Sequence, residues 1–193
     1  MHILIENEYK RKGIHLLALA VPIGYYFLPQ KTALLVLLPF ALASLVFDFI
    51  RILEWPGYRP LNFLFGPMLR THEEADLTGG SYILFAAALS IFLFEKQVAI
   101  AAITFIILGD ISSALIGRRY GMISFGDKTL EGSLGFFLSC LLVVVIVPDL
   151  SLLIGLAGAA VATLVEAIDF RVDDNLTVPL VSGVVMQLLT KIS

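Results

Sequence analysis

Seven apolar runs, each close to the length that crosses a bilayer, follow one another through this chain and occupy most of it. A helix needs about 20 mostly apolar residues to span the hydrocarbon core, with a working range of roughly 17–25. On that ruler, spans fall near 13–29, 32–50, 79–95, 97–116, 132–148, 150–168 and 176–191. They leave no room for a separate soluble domain. The expected fold is therefore all-α, a polytopic integral membrane helix bundle in which residues 1–193 form one transmembrane domain. Composition agrees: 59% of the chain is hydrophobic and 15% charged, against about 45–50% and about 25% in soluble domains.

The connections near Pro29, Glu95 and Pro148 are short and predict tight hairpins; those at 51–78, 117–131 and 169–175 are longer. Lys10, Arg11, Lys12, Arg51, Arg59, Arg70, Arg118, Arg119, Lys128 and Arg171 flank one side of this alternation, and only Lys31, Lys96 and Lys191 the other. Basic residues accumulate in cytoplasmic loops, so the N-terminus and the three long loops are expected in the cytoplasm, with the C-terminus outside. The basic N-terminus superficially resembles a signal peptide, but further spans follow and no convincing small-residue cleavage site is visible, which predicts a retained first helix. Trp55, Tyr58, Phe63 and Phe65 mixed with arginines suit the headgroup layer, as a membrane-hugging connector or as the lip of a lipid entrance. The single cysteine, Cys140, excludes an intramolecular disulfide and reads as a small packing residue.

Against this background Asp110 stands out, because an ionisable group inside an apolar run costs roughly 2.5–3.5 kcal/mol on insertion scales and marks a functional site by default. Gly109, Ser113 and Gly117 share one helix face, with Asp110 one position further round, and small residues at that spacing let helix backbones approach. Packing accounts for those small residues but not for Asp110, nor for Arg118 and Arg119, which also suit snorkelling anchors. The segment Gly126-Asp-Lys-Thr-Leu-Glu-Gly-Ser133 then re-enters the membrane. A helix starting near Gly132 would aim backbone N–H groups and its positive dipole end outward, a favourable place for phosphate. Lys128 and Thr129 add a cation and a hydroxyl, with Gly132 and Ser133 as N–H donors. A P-loop is excluded, since Asp127 separates glycine from lysine and no buried strand precedes.

Further acids lie on the same side: Asp48, Glu131, Glu166, Asp169, and the run Asp173-Asp174-Asn175, of which Asp174 or Asn175 is expected to cap the last span with Pro179 in its first turn. Glu166 and Asp169, three apart, share a helix face and could share a cation. Carboxylates, basic side chains and helix starts on one face suit a magnesium nucleotide. That makes Asp110, Glu166, Asp169 and Asp174 the candidate metal ligands. Arg11, Lys12 and His15 stand at the same level as phosphate contacts.

Together these motifs resemble the CTP-dependent lipid-alcohol kinases: dolichol kinase, phytol kinase and the CTP-dependent diacylglycerol kinase. The resemblance runs through nearly the whole chain. It rests on Arg11-Lys12-x-x-His15, Arg70 with Glu73 or Glu74 ahead of Thr78-Gly79, and Gly109-Asp110-x-x-x-Ala114-x-x-Gly117. Lys128-Thr129-x-Glu131-Gly132-Ser133, Glu166 and Asp174-Asn175-Leu-Thr-Val-Pro179 complete it. The CDP-diacylglycerol synthases look similar in the middle but end in a Lys-Asp pair with a His-Gly-Gly and Asp-Arg stretch, which this chain lacks.

The resemblance implies a transmembrane catalytic domain that transfers the γ-phosphoryl group of CTP to a lipid hydroxyl at the cytoplasmic face, with Mg2+ or another divalent cation. Asp110, Lys128 and Glu131 would be catalytic. Arg11, Lys12, His15, Arg70, Gly117, Arg118, Arg119, Thr129, Gly132, Ser133 and Asn175 would surround the nucleotide's phosphates. The expected partners are CTP, a lipid alcohol (a polyprenol, dolichol or phytol type, or diacylglycerol) and the bilayer, without nucleic acid. The small-residue stripe can pack within one chain or between two, which leaves a homodimer open. The rivals are a phosphatidate cytidylyltransferase and, in another class, a small proton-coupled transporter using Asp110 and Glu166 as a relay.

Overall fold

The computed structural model describes residues 12, 13, 15–55, 76–168 and 172–192. Arg11, Arg70, Glu73, Glu74 and Asp169 lie outside the described residues. A helix stands at each of the seven apolar runs: α1 (Ala20–Phe27), α2 (Gln30–Ile52), α3 (Gly79–Leu93), α4 (Lys96–Tyr120), α5 (Leu130–Ile146), α6 (Leu152–Ala167) and α7 (Asp174–Ile192). α1 is the regular part of a helical stretch that begins at His15. Between α4 and α5 two short strands, β1 (Ser124–Phe125) and β2 (Lys128–Thr129), pair as an antiparallel hairpin.

Three of these helices, α2, α4 and α7, are long and apolar enough to cross a membrane; the stretch His15–Phe27 and helices α3, α5 and α6 are apolar but shorter. The 15 residues of α3 rise only about 22 Å at 1.5 Å each, less than the roughly 30 Å hydrocarbon core. The difference from the sequence ruler lies at the ends. α3 and α5 begin at threonine caps, where Thr78 accepts from the Ser81 N–H and Thr129 from the Gly132 N–H, and extended backbone at Phe94 and Val147 stops each one. α4 departs in the other direction. It runs past its apolar segment to Tyr120, so Gly117, Arg118 and Arg119 are helical residues rather than part of a loop.

α4 is the centre of the bundle and packs against α1, α3, α5, α6 and α7. Val98 to Ile103 and Phe105 to Ile107 are all buried, as a helix surrounded by other helices requires. Its closest neighbour is α5, and the reason is the small-residue stripe. A Cβ at Gly109 would enter the Phe136 ring, and one at Gly117 would lie 2.8 Å from Thr129 Oγ1. These glycines let the two backbones approach. Outward, large apolar side chains such as Leu35, Val145 and Leu153 are each at least 75% exposed, a surface suited to lipid rather than water.

The polar ends of the bundle are sorted by contact. At one end Gln30 Nε2 donates to the carbonyl of Ile91 at 2.7 Å, Lys96 Nζ to that of Leu28 at 3.1 Å, and Gln187 exchanges hydrogen bonds with Glu95. The other end gathers the start of the His15 stretch, the ends of α2, α4 and α6, and the starts of α3, α5 and α7. Every acid singled out in the sequence and described here lies at this second end.

Candidate functional site

The hairpin between α4 and α5 sets the position of the central cation. Phe125 pairs with Lys128 and Ser124 with Thr129, leaving Gly126-Asp127 as a two-residue turn. Gly126 has φ +57° while Asp127 is not left-handed, the pattern of a type II′ turn, which takes glycine at its first central position. Glu131, in the first turn of α5, reaches back: its Oε2 accepts from the N–H groups of Met122 at 3.0 Å and Ile123 at 3.3 Å. Its carboxylate is thus directed at the base of the hairpin.

Held this way, Lys128 meets the ends of two other helices. Its Nζ is 2.8 Å from Asp174 Oδ2 and 3.5 Å from Glu166 Oε1, and it also donates to the Glu166 carbonyl. Glu166 is buried, and a buried carboxylate is tolerable only when paired and hydrogen-bonded. Ser113 on α4 donates to its Oε1 and Ser133 on α5 to its Oε2, both at 3.2 Å. Five residues from five elements therefore meet here: Lys128, the buried Glu166, and Asp174, Ser113 and Ser133 around them.

Asp174 is available to Lys128 because the residue before it does the capping. Asp173 Oδ1 accepts from the backbone N–H of Asn175 at 2.8 Å and from its side-chain Nδ2 at 2.7 Å. The cap expected at Asp174 or Asn175 is thus one residue earlier. Pro179 follows suit: with α7 starting at Asp174 it lies in the second turn, where its missing N–H deprives the Asn175 carbonyl of a helical donor.

Asp110 has a different partner. Lys12 Nζ is ion-paired with Asp110 Oδ2 and donates to its carbonyl at 3.1 Å, with His15 Nε2 3.7 Å from the same carboxylate. Asp110 and Ser113 are three apart on α4 and hence neighbours on its surface. The Lys12–Asp110 pair and the Lys128–Glu166–Asp174 cluster therefore flank one stretch of helix. Arg118 and Arg119 lie about two turns beyond Asp110. They line, with Lys12, Leu16, Ile111 and Leu115, a groove of about 700 Å³ beside α4.

A third polar group closes the same end. Asp48 and Arg51 are buried and 3.2 Å apart, and Asp48 Oδ2 accepts from the N–H of Thr78 at 2.8 Å and its hydroxyl at 3.1 Å. Arg51 also donates to the Asp76 carbonyl. This ties α2 to the start of α3.

The structure thus brings Lys128, Ser133, Glu166 and Asp174 together, with Asn175 adjoining through its cap, and separately Lys12, His15 and Asp110. It places Gly117 and Thr129 in the α4–α5 contact, and it commits the Gly132 N–H, expected to face phosphate, to Thr129 Oγ1 at 3.1 Å. Among the described residues no group of three or more His, Cys, Asp or Glu side chains is placed to hold a metal ion. Glu166 and Asp174 form a pair, not a triad. Ser113 and Asp173 entered the sequence reading only as a small residue and one member of an acidic run. The signal for Ser113 was its hydroxyl, one turn from Asp110.

The chain matches no family model and no solved structure. It is 29% identical to an uncharacterized protein of Rickettsia prowazekii over 91% of each chain. It is 28% identical to the CTP-dependent diacylglycerol kinase 1 of Eremothecium gossypii over 77% of this chain and 56% of that one, and 26% identical to the protein of the same name from Schizosaccharomyces pombe over 74% of each. The chain thus spans little more than half the length of the first of these kinases. These distant similarities support the CTP-dependent lipid kinases as the group to which the chain is akin.

Proposed function

We propose that this protein is a CTP-dependent kinase that phosphorylates the hydroxyl of a membrane lipid alcohol at the cytoplasmic face of a multi-pass bundle. Diacylglycerol is the first candidate, since the named relatives are diacylglycerol kinases; a polyprenol, dolichol or phytol-type alcohol presents a similar hydroxyl. The observation that carries the reading is the Lys128–Glu166–Asp174 cluster, hydroxyl-lined by Ser113 and Ser133 and adjoining the Lys12–Asp110 pair on α4. The similarity to the diacylglycerol kinases supplies CTP.

Phosphoryl transfer needs in-line positioning and charge neutralisation, with little covalent work by the protein. The lipid oxygen forms a bond to the γ-phosphorus, the bond from that phosphorus to the β–γ bridging oxygen breaks, and CDP leaves. The hydroxyl proton passes to the Asp110 carboxylate, which Lys12 holds in place. Lys128 moves from its carboxylates onto phosphate oxygens, with Ser133 and Asn175 lining the same approach and Thr129 capping α5 beside them. A divalent cation would supply further charge neutralisation. Mg2+ is held by one or two carboxylates together with substrate phosphates, and Glu166 with Asp174 is such a pair. Glu131 keeps the hairpin, and so Lys128, in register.

The test uses purified protein in detergent with CTP or ATP against diacylglycerol, a polyprenol and phytol, reading phosphorylated lipid and nucleotide. The expected result is equal amounts of lipid phosphate and CDP. Pyrophosphate release would indicate a cytidylyltransferase, and CTP consumption without lipid phosphate would overturn the kinase.

A further inference from the structure

The groove beside α4 has two unlike halves. Leu16, Ile111, Ala114, Leu115 and Ile116 form aliphatic walls, while Lys12, Arg118 and Arg119 stand along it as three cations. Among the described residues no carboxylate side chain lines it; Lys12 is paired with Asp110, and Arg119 lies over the Tyr120 ring, 5.5 Å from its centroid. Leu16 and Leu115 are about half exposed, at 47% and 52%. The groove therefore opens sideways onto the apolar exterior of the bundle. A water-filled phosphate site has no use for such walls, and a site for a neutral chain has no use for the arginines. Guanidinium groups match phosphate oxygens bidentately, and an aliphatic wall matches an acyl chain.

We infer that this groove seats a lipid phosphomonoester. Its acyl chain lies along Leu16, Ile111 and Leu115, and its phosphate is held by Arg118 and Arg119. Arg118 and Arg119 thereby serve the lipid end and not the nucleotide. The identity of the occupant rests on the kinase reading, in which phosphatidate is the product. Lipid would enter and leave through the side of the bundle, beside Asp110, and newly made phosphatidate would compete with the next diacylglycerol for the same walls.

The experiment measures binding without CTP. Purified protein in detergent is titrated with phosphatidate, with diacylglycerol, and with water-soluble glycerol 3-phosphate. The expected result is saturable phosphatidate binding that glycerol 3-phosphate does not displace. Replacing both arginines (Arg118→Gln with Arg119→Gln) should weaken phosphatidate roughly tenfold or more, as loss of charge-assisted hydrogen bonds predicts, and should leave diacylglycerol within about twofold. Leu115→Trp, which fills the groove, should weaken both lipids. Leu153→Trp, an outward residue on α6, controls for bulk alone, and size-exclusion elution shows that each variant is folded. Phosphatidate binding unchanged in the arginine pair or in Leu115→Trp, or full competition by glycerol 3-phosphate, overturns the groove. The kinase reading is scored separately, by lipid phosphate formed from CTP in the unaltered protein. If that product is absent while the binding pattern holds, the kinase reading falls and the groove stands. If product forms while binding ignores the groove, the reverse holds.

Discussion

The two ends of this bundle use polar side chains in opposite ways. At the end carrying Glu95 and Gln187, side chains mostly serve the backbone. Gln30 and Lys96 donate to carbonyls of Ile91, Phe92 and Leu28, and Gln187 accepts from the Glu95 N–H at 2.7 Å. Helix ends leave carbonyl and N–H groups unmatched, and these contacts satisfy them. At the other end, carboxylates face cations and hydroxyls contributed by different helices, and the acids Asp48 and Glu166 are buried. Sealing a helix end does not require buried charge. The difference separates an end that closes the bundle from one built around acidic and basic side chains.

The comparison can be broken at four places, taken from the largest expected effect downward. Asp48→Ala removes the carboxylate 3.2 Å from buried Arg51 and the acceptor of the Thr78 N–H. Breaking a buried pair costs about 3–5 kcal/mol, so the variant should lose most of its thermal stability in detergent. A melting temperature within two or three degrees of the parent would show that this pair is not structural. Lys128→Met comes next. If Lys128 neutralises phosphate, lipid phosphorylation should fall about 10²–10³-fold, the usual cost of one preorganised donor. Stability should fall as well, since Glu166 then keeps only the Ser113 and Ser133 hydroxyls, but by less than activity; an activity loss no larger than the loss of folded protein would return Lys128 to an ordinary structural role. Gly109→Ala drives a methyl into the Phe136 ring, and overpacking of this kind costs about 1–3 kcal/mol; an unaltered melting curve would contradict the close α4–α5 contact. Smallest is Gln187→Leu at the closing end. Side-chain hydrogen bonds between membrane helices average about 0.6 kcal/mol, so stability should barely move and lipid phosphorylation not at all. A catalytic effect there would erase the distinction between the ends.

The helices were legible because bilayer-length apolar runs leave few other readings. The run at 79–95 became Gly79–Leu93 and that at 150–168 became Leu152–Ala167. Their ends were less so, since caps and extended residues decide them, and hydropathy does not register Thr129 or Asp173 as boundaries. Asp110 and Glu166 were visible as charges within apolar spans, and Lys128 as the cation of the polar loop that re-enters the membrane. Their partners were not. Sequence spacing can relate residues on one helix, such as Asp48 and Arg51 three apart, but Lys12 with Asp110, or Ser113 and Ser133 with Glu166, depends on which helices become neighbours. Thr129 and Glu131 sat in a motif that looked ligand-facing throughout, and their side chains proved to hold a cap and a hairpin.

That hairpin makes chain length, more than residue identity, the fragile variable between α4 and α5. Side chains along a strand alternate sides at about 3.3 Å per residue, so a shift of one position reverses which way each points. Adding or removing a single residue within the hairpin would break its two-residue turn or shift the Ser124–Thr129 and Phe125–Lys128 pairing, and with it the register that presents the lysine to Glu166 and Asp174. Many point substitutions at Met122, Ile123 or Phe125 should pass unnoticed, while single-codon insertions and deletions from Ser124 to Lys128 should cost far more lipid phosphorylation.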